Sequence, residues 1–350
     1  MICIQAVGQT DIFRIERNGL FGYANSRGKI IIEPRFELAA EFSEGFASVS
    51  VCTDRVLLWG FIDESGQFVI KPRFLNSKSF REGLAGVQIG AKWGFINKKG
   101  QMIVDPNLDD EYGPDFEFRE GLSAVKIKKK YGYIDAAGKL VIPADFDFAD
   151  NFFEGLAYVM IDGKAGFIDR TGKIVVPLKY ELASRFSEGL GLVNIGRTLN
   201  KNTDDPGYSA GKWYYVDATG KIAFPTSYDF ADEFSEGLAV VRVNGKIGYI
   251  DKNGVYVVKP RFDNGENFSE GLAAVEMNDR WGYIDKTGRY IIRPRFQDAS
   301  NFRGGIAGIR NVSPKFIHYN YIDKKGRYIW YHKVERGVWI SPPNCTTAQN

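Results

Sequence analysis

The chain has 350 residues, with 46 basic and 43 acidic side chains and a formal net charge of +3. The two signs are interleaved, which argues against a nucleic-acid-binding surface, and no apolar run approaches the roughly 18 residues of a membrane-spanning helix. Aromatic residues make up 14% of the chain and glycines number 39, which indicates β-structure with many tight turns.

Residues 1–18 precede the first repeat, and we interpret them as an edge strand or cap. They lack the basic start and the sustained apolar stretch of a secretory signal, so the sequence predicts a cytoplasmic protein and leaves export open. The three cysteines, Cys3, Cys52 and Cys345, lie far apart and follow no repeat position. This spacing predicts neither a disulfide framework nor a cysteine-ligated metal.

A single motif recurs along residues 19–330. The motif Trp-Gly-Phe-Ile-Asp at Trp59–Asp63 returns as Trp93–Asn97, Tyr131–Asp135, Ala165–Asp169, Trp213–Asp217, Ile247–Asp251 and Trp281–Asp285, with weaker copies at Phe21–Asn25 and Tyr319–Asp323. The base period is 34 residues, and Tyr214 and Asn320 replace the glycine in two copies. The longest insertion, residues 197–210, is rich in Asn, Asp, Thr and Gly, which predicts a loop.

The sequence pattern of each unit predicts three short antiparallel strands. In the unit around Trp281, residues 271–277, 280–285 and 289–293 alternate with turn residues. The Asp that ends the motif, or Asn25 and Asn97 in its place, precedes a glycine by three residues, and such an Asp can accept backbone N–H groups within a tight turn. We therefore predict that these Asp residues form turns and do not act as catalytic carboxylates.

The third strand leads into a proline and then an aromatic residue. We interpret the proline as the residue that ends the strand and the aromatic as a core residue. A second recurrent Phe, such as Phe302, follows a segment too short for a helix, and its regularity also predicts a core position.

These motifs resemble the bacterial WG-repeat family, also called KWG repeats, over about nine-tenths of the chain. The resemblance implies a β-repeat scaffold and supplies no catalytic residues. We therefore predict an all-β fold of about eight to nine three-stranded units in an open or superhelical array. A closed β-propeller is the alternative, although its blades usually have four strands and about 40–45 residues. Residues 331–350 are interpreted as a terminal cap followed by a disordered tail.

A glutamate recurs in the segment Phe-x-Glu-Gly that precedes each first strand. An ion pair with the upstream Arg35, Arg73, Arg261 or Arg295 is unattractive, because Glu154 has Asp145 at the arginine position and Glu236 has Ser227. We predict instead that the carboxylate accepts backbone N–H groups of the bend before the next strand.

One face of the first strand varies between units, and we interpret it as exposed. Its residues are Ser48, Gly86, Ala124, Tyr158, Leu192, Val240, Ala274 and Gly308, and, two positions later, Ser50, Gln88, Lys126, Met160, Asn194, Arg242, Glu276 and Arg310. An ordinary solvated face explains this variation, and a recognition surface is the sharper interpretation. The candidate partner-binding residues are Tyr158, Met160, Leu192, Asn194, Arg242 and Glu276.

The sequence therefore predicts a monomeric, non-enzymatic scaffold that binds a protein or other macromolecule, with no cofactor or metal. The alternative is a carbohydrate or cell-envelope binder that uses exposed aromatic residues. Trp59, Trp93 and Trp281 distinguish the two, because buried tryptophans would be core residues and could not stack on sugars.

Overall fold

The computed structural model describes residues 11–109, 117–196 and 211–335, and within them the chain forms 33 strands in nine antiparallel sheets. Sheet 1 contains β1 (Ile12–Arg17), β2 (Leu20–Asn25) and β3 (Ile30–Phe36). Sheet 2 contains β4 (Leu38–Ala39), β5 (Phe46–Thr53), β6 (Val56–Asp63) and β7 (Phe68–Phe74). Sheet 3 contains β8 (Asn76–Ser77), β9 (Leu84–Ile89), β10 (Lys92–Asn97) and β11 (Met102–Asp109). Sheet 4 contains β12 (Leu122–Ile127), β13 (Lys130–Asp135) and β14 (Leu140–Phe146).

The remaining sheets repeat this pattern. Sheet 5 contains β15 (Phe148–Ala149), β16 (Leu156–Ile161), β17 (Lys164–Asp169) and β18 (Ile174–Tyr180), and sheet 6 contains β19 (Leu182–Ser187), β20 (Leu190–Ile195) and β21 (Lys212–Val216). Sheet 7 contains β22 (Phe230–Ala231), β23 (Ala239–Val243), β24 (Lys246–Ile250) and β25 (Tyr256–Phe262). Sheet 8 contains β26 (Asn264–Gly265), β27 (Leu272–Met277), β28 (Arg280–Asp285) and β29 (Tyr290–Phe296). Sheet 9 contains β30 (Asp298–Ala299), β31 (Ile306–Val312), β32 (Phe316–Asp323) and β33 (Tyr328–Glu335).

The chain divides into two compact units, one made of Phe146–Lys333 and the other of the described residues outside that range. The predicted N-terminal edge strand is in part β1, which pairs with β2. The insertion at 197–210 and the predicted tail beyond residue 335 lie outside the described residues, so those two predictions remain open.

Six of the nine sheets have four strands in chain order, and the prediction of three-stranded units was wrong for them. The missed strand has only two residues. After β3 ends at Phe36, a single residue separates it from β4, which pairs with the next sheet's β5. Four-stranded meanders joined in this way are blades of the propeller type, so the β-propeller alternative describes them better than the open superhelical array does.

Within each unit, an apolar cluster lies between successive sheets. Tyr23 and Phe36 of sheet 1 pack with Ala47 and Val49 of sheet 2, whereas Phe61, on the other face of sheet 2, joins a cluster with sheet 3. A sheet with neighbours on both sides has both faces buried. The two recurrent aromatic positions are therefore core, as predicted, and Phe296 and Phe302 are each 1% exposed.

The glycine of the Trp-Gly motif allows the outer strand to bulge against it. In sheet 8, Trp281 pairs with Phe296 and Tyr283 with Ile292, so Gly282 faces three residues of β29, including Pro294. A Cβ on Gly282 would lie 2.5 Å from the Ile292 carbonyl oxygen and 2.6 Å from the Pro294 nitrogen. The proline thus lies inside the outer strand, at the bulge, and does not end it as predicted.

The two copies without this glycine differ at the same place. Tyr214 replaces it in sheet 6, where the pairing with the following segment is reduced to isolated bridges at Trp213–Tyr228 and Val216–Ile222. Asn320 replaces it in sheet 9, where the outer strand has no proline and the Asn320 side chain accepts the backbone N–H of His332.

We expect Gly282→Ala to destabilise the protein by about 1–3 kcal/mol, because backbone atoms of β29 cannot move away from the new methyl group without breaking the bulge. Gly308→Ala is the matched control, since a Cβ there would meet Ser300 Oγ at 3.4 Å and Tyr321 at 3.6 Å, which is ordinary contact. Urea unfolding of both variants measures the difference. Equal midpoints for the two would contradict the assigned role of the motif glycine.

Candidate functional site

The face that we predicted to be an exposed recognition stripe is covered by a neighbouring sheet, so the premise of that prediction was wrong. Tyr158, Leu192 and Asn194 are 9%, 2% and 0% exposed. Tyr158 and the half-buried Met160 pack in the cluster between sheets 5 and 6, and Leu192 packs between sheets 6 and 7. The alternation of side chains was interpreted correctly, but the strand has no solvated face.

The polar members of the stripe contact the next repeat. Half-buried Arg242 donates to the Asp263 carbonyl and to Asn264 Oδ1 at 3.1 Å, and Ser48 Oγ lies 2.5 Å from Ser77 Oγ. Half-buried Glu276 has its pKa raised by burial and then by Asp279, Asp263 and Asp298. The residue type at each stripe position therefore depends on the side chains that it meets on the neighbouring sheet.

Two of the three diagnostic tryptophans are core residues: Trp93 is 1% and Trp281 is 8% exposed. Trp59 is partly buried and packs against the cluster between sheets 2 and 3. They do not form a row of exposed rings over a groove, so the carbohydrate interpretation loses the support that these residues were to give it.

The recurrent glutamate does accept backbone N–H groups, but those of the next repeat. The Glu154 oxygens accept from the N–H groups of Glu188 and Gly189, both at 2.7 Å, and the Glu82 oxygens accept from Glu120 and Gly121 at 2.7 and 2.8 Å. The same contact is made by Glu44 to Gly83, Glu188 to Gly237, Glu236 to Gly271, and Glu270 to Gly304 and Gly305. The carboxylates therefore link successive repeats.

A lysine completes this link in four copies, and the sequence reasoning missed it. Lys324 Nζ lies 3.1 Å from Glu270 Oε2, and the equivalent pairs are Lys98–Glu44, Lys252–Glu188 and Lys286–Glu236. Burial raises the pKa of Glu270, but the hydrogen bonds from Lys324, Gly305 and Gly304 outweigh it and leave that pKa below its usual value. The signal in the sequence was a lysine directly after the motif Asp or Asn, 50 to 64 residues beyond the glutamate that it contacts.

The recurrent arginines also join repeats. The Arg295 guanidinium lies 5.0 Å from the Phe296 ring centroid and donates to the Gly326 carbonyl of the next repeat at 2.9 Å. The equivalent bonds run from Arg35 to Gly66, Arg73 to Gly100, and Arg261 to Gly288. Serine hydroxyls add a third link, as in Ser269 to the Phe302 carbonyl at 2.7 Å.

The motif Asp forms a turn, as predicted. Asp285 Oδ1 accepts from the backbone N–H groups of Thr287 and Arg289 at 2.9 and 3.0 Å, and Asn97 makes the same bonds in its own repeat. The hydrogen bond from the Thr287 hydroxyl is the main cause that lowers the pKa of Asp285. A carboxylate held ionised in this way serves the turn.

What remains exposed and recurrent is an aliphatic residue on the outer strands. Ile103, Val257 and Ile291 are 38%, 44% and 45% exposed, and each is the second residue of its strand. The full set is Ile31, Val69, Ile103, Val141, Val257 and Ile291. We call this set the outer-strand aliphatic row. The third-strand alternation, as in Tyr-Ile-Ile-Arg-Pro, contained the signal for it.

Cys52 is disulfide-bonded. The cysteine spacing predicted no disulfide framework and did not indicate this single bond, and the other two cysteines lie outside the described residues. Among the residues that the structure describes, no group of three or more His, Cys, Asp or Glu side chains could hold a metal ion. In the same ranges, no helix has the length and hydropathy needed to span a bilayer.

Fold and contacts together define a tandem β-repeat protein whose recurrent polar residues join one repeat to the next. The family model described as "WG containing repeat" matches residues 21–51, 59–93, 93–131, 131–164, 166–197, 215–246, 247–281 and 281–311. The chain belongs to this family, and the resemblance seen in the sequence is confirmed.

Solved structures with some similarity include Hsv2p of Kluyveromyces lactis, at 9% identity and a TM-score of 0.40, over 75% of this chain and 97% of that chain. The extracellular domain of a hybrid two component system from B. thetaiotaomicron matches at 8% identity and a TM-score of 0.34, over 92% of this chain and 56% of that chain. No curated protein matches the sequence.

We expect Glu154→Ala to lower the midpoint of thermal unfolding by a few degrees, because it leaves the N–H groups of Glu188 and Gly189 without their acceptor. Glu154→Gln keeps one acceptor oxygen, so its midpoint of thermal unfolding should fall less than that of Glu154→Ala. Glu154 suits this test, since Ala218 stands where other copies have the lysine. Exposed Glu64, which forms no hydrogen bond or ion pair with the described residues, is the control, and its replacement by Ala should change little. Equal midpoints for all three variants and the wild type would refute the link.

Proposed function

We propose that this protein is a non-enzymatic repeat scaffold that binds a partner protein through the outer-strand aliphatic row. The recurrent Glu, Arg, Ser and Asp side chains form links between repeats or turns within them. Their recurrence is therefore explained by the fold, and they are poor candidates for partner contact. A repeated residue that is exposed without such a structural role, as in this row, is the better candidate for a partner contact.

The observation that carries the proposal is the exposure of a large aliphatic side chain at the same outer-strand position in six of the nine described sheets. Val257 is 44% and Ile291 is 45% exposed, on outer strands of neighbouring sheets in the same unit. The Phe262 and Tyr290 rings lie 6.1 Å apart and connect these two strands. Exposed apolar side chains that lie together in a patch are typical of partner surfaces.

A partner would contact this edge through side chains. Each of these outer strands carries a proline, which is the fourth residue of β14 (Pro143) and the fifth residue of the other five, as Pro294 is in β29. Proline offers no N–H donor, so it interrupts the regular ladder that an added strand would need.

The residue two positions after the aliphatic one varies in charge. It is Lys259 in β25 and Arg293 in β29, whereas it is Glu33 in β3 and Asp105 in β11. All four are exposed. The edge of β25 and β29 is thus apolar and basic, which fits a partner segment that carries apolar and acidic side chains.

Among the six residues first chosen from the sequence, Met160, Arg242 and Glu276 keep part of their surface exposed. Their contacts with neighbouring sheets favour a packing role, so we assign partner contact to the outer strands. The carbohydrate alternative keeps one observation in its favour, the exposure of Tyr319, Tyr328 and Tyr331 in sheet 9 at 44%, 54% and 57%.

The test compares two double variants of the immobilised protein in extract of its native cell. We expect Val257→Asp with Ile291→Asp to weaken retention of the partner at least tenfold, because the loss of interface anchors typically costs more than about 1–2 kcal/mol. Ile31→Asp with Ile103→Asp alters the acidic outer strands and is the matched control that should retain the partner. Retention should also fall with added salt.

Retention of the same proteins by both double variants would contradict the proposed surface. Binding of glycans, with loss on Tyr331→Ala, would favour the carbohydrate alternative.

A further inference from the structure

The Glu-Gly turn before each first strand has one backbone conformation throughout. The Glu φ angles lie between 50° and 56° and the Gly φ angles between 79° and 89° in the seven copies from Glu44–Gly45 to Glu270–Gly271. This conformation sets neighbouring N–H groups to point in the same direction, a concave arrangement that suits an anion.

In six of the seven later turns, a carboxylate from the preceding repeat accepts one or both of these N–H groups. Six carboxylates do so at 2.5–3.1 Å, and in two copies the contact needs no lysine, because Ala136 and Ala218 occupy the lysine position. The chain itself therefore shows which ligand this turn prefers and that two N–H groups suffice to hold it.

The first copy, Glu44–Gly45, differs from these six turns. Its φ angles are 53° and 84°, like those of the others, but none of the described residues accepts the N–H groups of Glu44 and Gly45. The sequence before β1 differs from that of the later repeats. Two residues before Ile12, where the later repeats have glutamate, the sequence has Thr10, which carries no carboxylate.

The turn is also open to a ligand from outside. Glu44 and Gly45 each keep part of their surface exposed to solvent. The residue at the lysine position of this repeat is exposed Glu64, so its charge is opposite to that of Lys98, Lys252, Lys286 and Lys324.

We propose that the Glu44–Gly45 turn binds a carboxylate from another molecule, and that Glu64 selects a carboxylate with a cationic group beside it. In the complete copies the lysine nitrogen lies 3.1–3.3 Å from the bound carboxylate. Position 64 carries the opposite charge. A partner segment with adjacent acidic and basic side chains would therefore place its carboxylate on the N–H groups of the Glu44–Gly45 turn and its cation beside Glu64. None of its residues belongs to the outer-strand aliphatic row, and it does not depend on the proposed function.

The probes are two blocked dipeptides, acetyl-Lys-Glu-amide and acetyl-Ala-Glu-amide, followed by the amide resonances of the full chain at fixed ionic strength. We expect saturable shifts at the N–H groups of Glu44 and Gly45, and none at Glu120 and Gly121, which the Glu82 carboxylate already holds. The lysine peptide should bind about two- to fivefold more tightly, as exposed ion pairs allow.

Glu64→Lys should reverse that preference, because it restores the lysine of the other copies. Ala136→Lys, the matched control, adds the same charge beside the Glu120–Gly121 turn and should leave both affinities unchanged. Absent shifts at Glu44 and Gly45, or equal shifts at Glu120 and Gly121, would overturn the site. Unchanged preference in Glu64→Lys would overturn the selection by Glu64.

Discussion

Sheets 2, 3, 6, 7 and 8 join apolar clusters on both of their faces, and the rest of the structure follows from the need to cover both. In β16, Ala157 and Val159 point to one side and Tyr158 to the other, and all three are buried. An isolated sheet of this kind would expose a large apolar area, so a repeat is stable only between neighbours. The single residue between one outer strand and the next short strand places that neighbour directly beside it.

Stacking alone does not fix how one sheet sits on the next, because apolar contact has little direction. The polar links add that direction. A carboxylate on two N–H groups, a guanidinium on a turn carbonyl and a hydroxyl on a second carbonyl join successive repeats at separate points. Residues that recur in the sequence are thus largely residues that hold repeats in register. For function, this moves attention from the recurrent motif to the sheet edges and to the turn that lacks its link.

Much of the fold could be predicted from the sequence. The period, the turns after the motif Asp and the two aromatic core positions follow from local chemistry and are confirmed. The two-residue strands were missed because a strand as short as Leu38–Ala39 has no periodicity to detect. The stripe from Tyr158 to Glu276 was misplaced because alternation along a strand shows that side chains face opposite ways, and not that one face is solvated. The links from Glu270 to Gly305 and to Lys324 join residues 35 and 54 positions apart, and only the stacked repeats bring them together.

Hydrogen exchange tests the central claim, that the recurrent carboxylates hold the turn of the following repeat. In Glu82→Ala, the N–H groups of Glu120 and Gly121 lose their acceptor, and we predict that their protection falls about tenfold or more, the equivalent of one charge-assisted hydrogen bond. The N–H groups of Glu188 and Gly189, which the Glu154 carboxylate accepts, should keep their protection from exchange. Unchanged protection at Glu120 and Gly121, or an equal loss at all four, would contradict the account.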